Sequence, residues 1–365
     1  MIQVIVFPRH RLIMHRMKTQ KFSVSVFTLC FFCSMAFAEP PLSGQGITVE
    51  AEADAPSPPN TILFPLYTRV ATPTNATPPS TSTTPPPYAV PWQLRPIIPG
   101  NIVRLDSALA AYNDRDGNSG GLAAATMLTG SYRIIPDMAV LLRFGAVSNL
   151  PPNGAESATS FLNPLIGGLY SLRLPSDFRL GLFLGFTVPV GMGGGDSPDP
   201  AVQSANAAGA LVRSGMDGAM VAPNYFAVIP GIDLAYIGHG ATVQIEASLI
   251  QLNRVRGEDV DQDQGRTNFT TGLSVGYSIT PEISMVGELR YQRWLYNNTV
   301  FAAPEPAVEN LSFAIGPRFN FRIGNVTVRP GIAYAQGLVG PMASGGYTSA
   351  TNTDRILFID SPVIF

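Results

Sequence analysis

Three observations predict an all-β chain, a twelve-stranded antiparallel transmembrane β-barrel with a disordered Pro-rich N-terminal tail. Only 13% of the 365 residues are charged, about half the usual share of a soluble globular protein. From Asn101 onward, bulky apolar residues alternate with small or polar ones, the period-2 signature of strands. The connections between these segments alternate between short and long, as they do when a chain repeatedly crosses a membrane as strands.

The first element is a targeting segment. Residues 1–38 carry Arg9, Arg11, Arg16, Lys18 and Lys21, no acid, an apolar run from Phe22 to Phe37, and a small-x-small site at Ala36-Phe37-Ala38. That pattern predicts an export signal cleaved before Glu39. No lipobox surrounds either cysteine, so plain cleavage is expected rather than a lipid anchor. Its removal takes away Cys30, Cys33, both lysines, His10 and His15. The remainder has 23 − 5 = 18 arginines against 25 acids, a net charge near −7, with a single histidine, His239. Cysteine nucleophiles, Cys-rich zinc sites and disulfide frameworks are thereby excluded.

The second element, residues 39–100, holds 15 prolines, clustered as in Pro85-Pro86-Pro87. Each proline removes a backbone donor and extends its predecessor, which predicts a disordered tail on the periplasmic side. Ile62-Leu63-Phe64 and Trp92 are its apolar pieces suited to docking on a partner.

The third element, residues 101–365, reads as the barrel. Its twelve segments run at about 102–112, 121–133, 138–148, 162–174, 178–190, 223–236, 241–252, 267–279, 282–296, 310–323, 326–337 and 354–365. In 178–190, Leu180, Leu182, Leu184 and Phe186 oppose Arg179, Gly181 and Gly185; in 241–252, Val243, Ile245 and Leu249 oppose Gln244, Glu246 and Ser248. The apolar face carries charge only at Arg293 and Arg355. A soluble sandwich with this pattern would need outer faces rich in Lys and Glu, whereas a lipid-facing exterior around a polar interior needs none. Tight turns at 135–137, 174–177, 237–240, 280–282 and 324–325 alternate with long loops, and Tyr132, Tyr170, Tyr236, Tyr277 and Phe321 form an aromatic girdle beside the turns.

The terminal Phe365, with Val363, Ile359 and Leu357 on its face, resembles the assembly signal of Gram-negative outer-membrane barrels. More narrowly, Asn163-Pro164-Leu165-Ile166-Gly167-Gly168-Leu169-Tyr170-Ser171-Leu172-Arg173-Leu174, followed by Phe178 to Gly191 ending Val188-Pro189-Val190-Gly191, is similar to transporter-like barrels of the phenol meta-pathway, MetA type. That resemblance implies amphipathic aromatic cargo, for which Phe183, Val286 and Phe358 are the greasy lumen positions.

Strand parity points Arg104, Arg133, Arg143, Arg173, Arg179, Arg290, Arg318, Arg322 and Arg329 inward, against Asp106, Asp233, Glu246, Glu288 and Asp360. Nine minus five predicts a lumen near +4 that favours anions, with Glu288, Arg290 and Arg318 as ion-pair partners. Small inward residues (Gly181, Gly185, Gly272, Gly276, Gly331, Ala333) predict open space. Between Gly191 and Ala222, a Gly-rich start and an apolar stripe through 201–214 predict a short helix that folds over or into the mouth and narrows it, with Arg213 beside the path; an exterior cap on neighbouring loops is the alternative.

The expected role is a passive channel or facilitator for small solutes in the cell outer membrane; the alternative is a closed structural or adhesive barrel binding partners through its tail or loops. Lipid and lipopolysaccharide surround such a barrel. Glu258, Asp259, Asp261 and Asp263 crowd an outer loop, but the glycine falls one position late for a calcium loop and Thr270 stands where the bidentate Glu belongs. A solvated acidic loop is therefore expected, with a weak divalent site as the alternative. No phosphate loop, nucleic-acid patch or cofactor fingerprint occurs, and His239 in a turn has no catalytic partner, so no enzyme activity is expected.

Overall fold

The computed structural model describes residues 88–113, 120–213, 216–258, 265–296, 309–339, 343–344, 347–348 and 355–365, all within one compact unit. The export signal, the tail as far as residue 87, and Asp259, Asp261 and Asp263 lie outside the described residues.

Twelve strands build a closed barrel: β1 Ile102–Tyr112, β2 Gly121–Ile135, β3 Met138–Leu150, β4 Leu165–Arg173, β5 Phe178–Thr187, β6 Tyr225–Gly238, β7 Ala241–Arg254, β8 Arg266–Ser278 and β9 Ile283–Tyr296. They continue through β10 (Glu309–Phe319, extended by Phe321–Ile323), β11 (Val326–Val328 and Gly331–Val339) and β12 (Arg355–Ile364). Each pairs with its chain neighbours, and β12 closes on β1 in antiparallel register from Ile102↔Ile364 to Ala111↔Arg355. Closure matters because a backbone N–H or C=O facing hydrocarbon has no water to bond.

Prolines mark the places where the ladder yields. Pro330 interrupts β11, and at Pro230 the β6–β7 ladder is broken between Val228↔Gln251 and Gly231↔Ser248, with the register unchanged on either side. Neither proline has an N–H to contribute.

Alternation fixes which face meets lipid. In β5, Leu182, Leu184 and Phe186 are exposed while Phe183 between them is buried; in β7, Val243, Ile245 and Leu249 are exposed while Gln244, Glu246 and Ser248 are buried. The apolar face is the outer one, which is the inverse of a soluble fold and is stable only against lipid. Tyr132, Tyr170, Tyr277 and Phe321 are exposed near the short turns, and Tyr236 packs on Phe178 with ring centroids 5.4 Å apart. Two residues make the β6–β7 turn, His239 (φ 52°) and Gly240 (φ 76°), both in the left-handed region that a tight hairpin requires. His239 Nδ1 lies 2.7 Å from the Tyr236 hydroxyl, so the histidine is part of the turn.

The N-terminal stretch departs from expectation. Residues 88–98, expected to belong to a free tail, enter the barrel and are largely buried there before the chain emerges at Asn101 to begin β1. Proline content predicts the absence of helix and ladder, and both predictions hold here. What it does not predict is that a ladderless segment is held by side chains.

Candidate functional site: the lumen and its two inserts

The first insert is Tyr88–Ile98, which rises from the short-turn end and returns to it. Its bend, Trp92–Arg95, lies level with Glu246 on β7, Gly272 on β8 and Glu288 on β9. Trp92, Leu94 and Ile97 are buried to within 2% of completely. Lumen side chains satisfy the insert's backbone. Glu288 accepts from Trp92 N (2.9 Å) and Gln93 N (3.1 Å), and Glu246 accepts from Arg95 N (2.8 Å). Gln244 donates to Arg95 O (2.7 Å), Arg329 to Tyr88 O (2.7 Å), and Arg104 to Trp92 O. The Trp92 indole N–H donates to Val286 O at 3.1 Å, and Arg318 lies 4.2 Å above its ring.

Small lumen residues seat the insert's large ones. A Cβ at Gly331 would strike the Trp92 ring, one at Gly272 would meet Leu94, and one at Gly181 would press on Ile97. The space read from these glycines as open is thus occupied. Gly185 instead gives room to Phe183, its neighbour two residues back.

The second insert is the connection between β5 and β6. Helix α1, Pro200–Val212, starts with Asp199 accepting from Ala201 N and with Pro200 in its first turn, where a missing N–H costs nothing. Its stripe Val202, Ala205, Ala208, Gly209, Leu211 and Val212 is buried, and Gly209 packs directly on Val147 of β3. Helix α2, Met216–Met220, follows and contributes Asp217. Asn163 anchors the base of the loop, accepting from Gly191 N (2.8 Å) and donating to Ala222 O (2.7 Å).

The two inserts meet groups of buried ion pairs. Arg104 pairs with Asp360 (2.6 Å) and Asp106 (3.5 Å), and Arg318 reaches both Asp360 oxygens at 2.7 and 2.9 Å. Arg143 bridges Asp106 (3.4 Å) to Asp217 (2.8 Å), while Arg213 pairs with Asp106 and stands 3.5 Å from Asp217. Arg95 of the first insert contacts Asp233 (3.3 Å) and Glu246 (3.2 Å), and Arg290 contacts Glu288 at 3.1 Å. Arg318 therefore belongs with Asp360, not with the Glu288–Arg290 pair as expected from adjacency.

Four of the nine arginines expected to face the lumen sit elsewhere. Arg133, Arg173 and Arg322 are exposed and Arg179 is half-buried, all at the short-turn rim. Arg329 is half-buried beneath Tyr88. The four at the rim lie at strand ends, where the wall gives way to solvent. Among the described residues, seven arginines (95, 104, 143, 213, 266, 290, 318) and six acids (106, 217, 233, 246, 288, 360) are buried, a balance of +1. The expected +4 left out of its count Arg95, Arg213, Asp217 and Arg266, which lie outside the strand segments or at their ends.

Among the described residues, the spaces beside the inserts are small, whereas one of about 490 Å³ lies at the long-loop ends of β1, β2 and β12. A cavity of about 20 Å³, bounded by Gln93 below and Leu211–Arg213 above, has room for about one water. A second, of about 40 Å³, lies between the insert and β1–β4. Glu258 occupies the start of the acidic loop. Among the described residues, no group of three or more His, Asp or Glu side chains is placed to hold a metal.

No protein-family model matches this chain, and none of the curated proteins does. Among solved structures, an outer membrane channel from Pseudomonas putida F1 aligns over 75% of this chain and 98% of its own at 14% identity and a TM-score of 0.45. The NanC porin aligns over 72% of this chain and 98% of its own at 10% identity and a TM-score of 0.42, and the KdgM porin over 72% and 99% at 8% and 0.41.

Proposed function

We propose that the chain is an outer-membrane channel for small solutes whose lumen is closed by two displaceable inserts. The observation that carries this reading is how Tyr88–Ile98 is held: by charged and polar wall side chains bonded to its backbone, with no strand ladder. This wall, stripped of the insert, would present Glu246, Glu288, Arg104, Arg318 and Gln244 to water, groups that water solvates well. Twelve strands are also wider than the eight whose side chains alone fill the interior. The short turns and the N-terminal insert face the periplasm, the long loops face outward, and lipid and lipopolysaccharide surround the apolar belt.

The resemblance of 163–191 to meta-pathway barrels bears on aromatic cargo, and Phe183 and Phe358 do lie in the lumen, each beneath a guanidinium, of Arg95 and Arg213 respectively. The second reading, a closed structural barrel, is favoured by the small volume of the cavities beside the inserts, about 20 and 40 Å³.

Planar-bilayer recording separates the two. The chain lacking residues 39–98 should show large, steady steps, and the full chain small or brief ones. A folded barrel that stays silent both with residues 39–98 removed and with residues 196–218 also replaced by a short Gly-Ser linker would establish the structural reading.

A further inference from the structure

We infer that the recess holding the Arg95 side chain is a binding site for the guanidinium or ammonium group of a solute, which on binding holds the N-terminal insert out. The inference rests on the channel reading and adds to it a substrate class. The recess is assembled from three neighbouring strands. Asp233 on β6 and Glu246 on β7 are directly opposite in the ladder, so their carboxylates share one patch of wall. Ser248, one inward position further along β7, places its hydroxyl 2.8 Å from Arg95 Nη1. Phe183 on β5 supplies the floor, with the guanidinium carbon 4.4 Å from the ring centroid. Gly231 completes the shape, because a Cβ there would collide with the Arg95 guanidinium and with Ser248 Oγ.

Two carboxylates, a hydroxyl and an aromatic face, set around a gap that only a glycine leaves open, are complementary to a planar cation. Two acids side by side in a barrel interior also repel one another unless a cation stands between them. When the insert leaves, Arg95 leaves with it, and the vacancy attracts another cation.

Arg95 itself is an imperfect occupant. Its bonds to the two Asp233 oxygens are long, 3.3 and 3.4 Å, against about 2.7–2.9 Å for a good charge-assisted pair. Its Nε has no hydrogen-bond partner. The backbone of the insert, fixed at Arg95 N by Glu246 and at Arg95 O by Gln244, prevents the guanidinium from centring itself. A free cation has no such tether. It binds only the state in which Arg95 is out, and shifts the population towards that state by its differential affinity.

Calorimetric titration of agmatine, which carries a guanidinium and an ammonium, tests this on the full chain and on its Arg95→Ala variant, which vacates the recess while keeping the insert. Arg95→Ala should bind agmatine with one-to-one stoichiometry, at least tenfold tighter than the unmodified chain, which must first release its own arginine. Adding Glu246→Gln to Arg95→Ala should weaken binding tenfold or more, and glutarate, a dianion of similar length, should bind neither protein. The inference is overturned if Arg95→Ala binds agmatine no better than glutarate, or if Glu246→Gln leaves the affinity unchanged. Conductance of the truncated chain judges the channel reading separately. Agmatine binding without conductance would sink that reading alone, and conductance without agmatine binding would sink the recess alone.

Discussion

Trp92 shows how one side chain couples the insert to the wall. Its ring fills the place left by Gly331, its indole donates to Val286 O, and the Arg318 guanidinium covers its face. Truncating a buried tryptophan costs about 3–5 kcal/mol. Trp92→Ala should therefore undock the insert without unfolding the barrel: bilayer conductance of the full chain should rise, while its thermal melting stays within a few degrees. Asp360 is the opposite case, a wall residue holding both Arg104 and Arg318. Asp360→Asn leaves two buried guanidiniums short of a partner, and removing one member of a buried pair costs about 3–5 kcal/mol. Denaturant unfolding of the barrel should report that loss directly. The sequence displayed Trp92 as a docking residue, but not its dock. Gly331 and Trp92 are 239 positions apart, and nothing local to either records that the space beside one has the shape of the other.

At the scale of elements, the strands were legible and the inserts only partly so. Along the strands the outward positions are mostly apolar, with small or polar exceptions such as Ser107, Thr126 and Thr271, because one side faces lipid and the other does not, and that constraint acts residue by residue along the chain. Hence β1, Ile102–Tyr112, falls on the expected 102–112 and β7, Ala241–Arg254, is two residues longer than expected. Helix α1 was legible for the same kind of reason, an apolar stripe at helical spacing. The N-terminal insert has no period, since it makes neither helix nor ladder. Its only local signal is density: Tyr88, Val90, Trp92, Leu94, Ile97 and Ile98 within eleven residues of a tail otherwise rich in Pro, Thr and Ser. The lipid-facing assignment makes a depth-dependent prediction. Leu182→Arg, near mid-strand on the outer face, should cost roughly 2–4 kcal/mol, and Ile323→Arg, at the short-turn rim, about 0–1 kcal/mol. Equal costs in urea titrations of the two variants would show that the exposed face of β5 is not in hydrocarbon.

For the whole molecule, charge balance changes with the state of the insert. The closed lumen buries seven arginines against six acids, and withdrawal of Arg95 leaves six of each among the described residues. The open pore should then discriminate weakly between chloride and potassium, with a reversal potential near zero in a salt gradient. A strong anion preference would instead place control at the rim, with Arg133, Arg173, Arg179 and Arg322. Length and net charge could not reveal this, because the balance depends on whether Arg95 is in place, and Arg95 belongs to a segment that sequence patterning puts outside the barrel.

The claim that movement of the N-terminal insert opens the lumen is tested most directly by locking it in place. Leu94 Cγ lies 3.2 Å from the position a Cβ would take at Gly272, close to the separation of a sulfur from the opposite Cβ in a disulfide, about 3 Å. The full chain carrying Leu94→Cys and Gly272→Cys, with the only native cysteines, Cys30 and Cys33, in the segment expected to be cleaved, should form that single bridge. In one bilayer, the oxidised protein should be silent, and the same molecules should open in discrete steps once a reductant is added. Equal conductance before and after reduction, with the bridge confirmed by mass, would contradict the account.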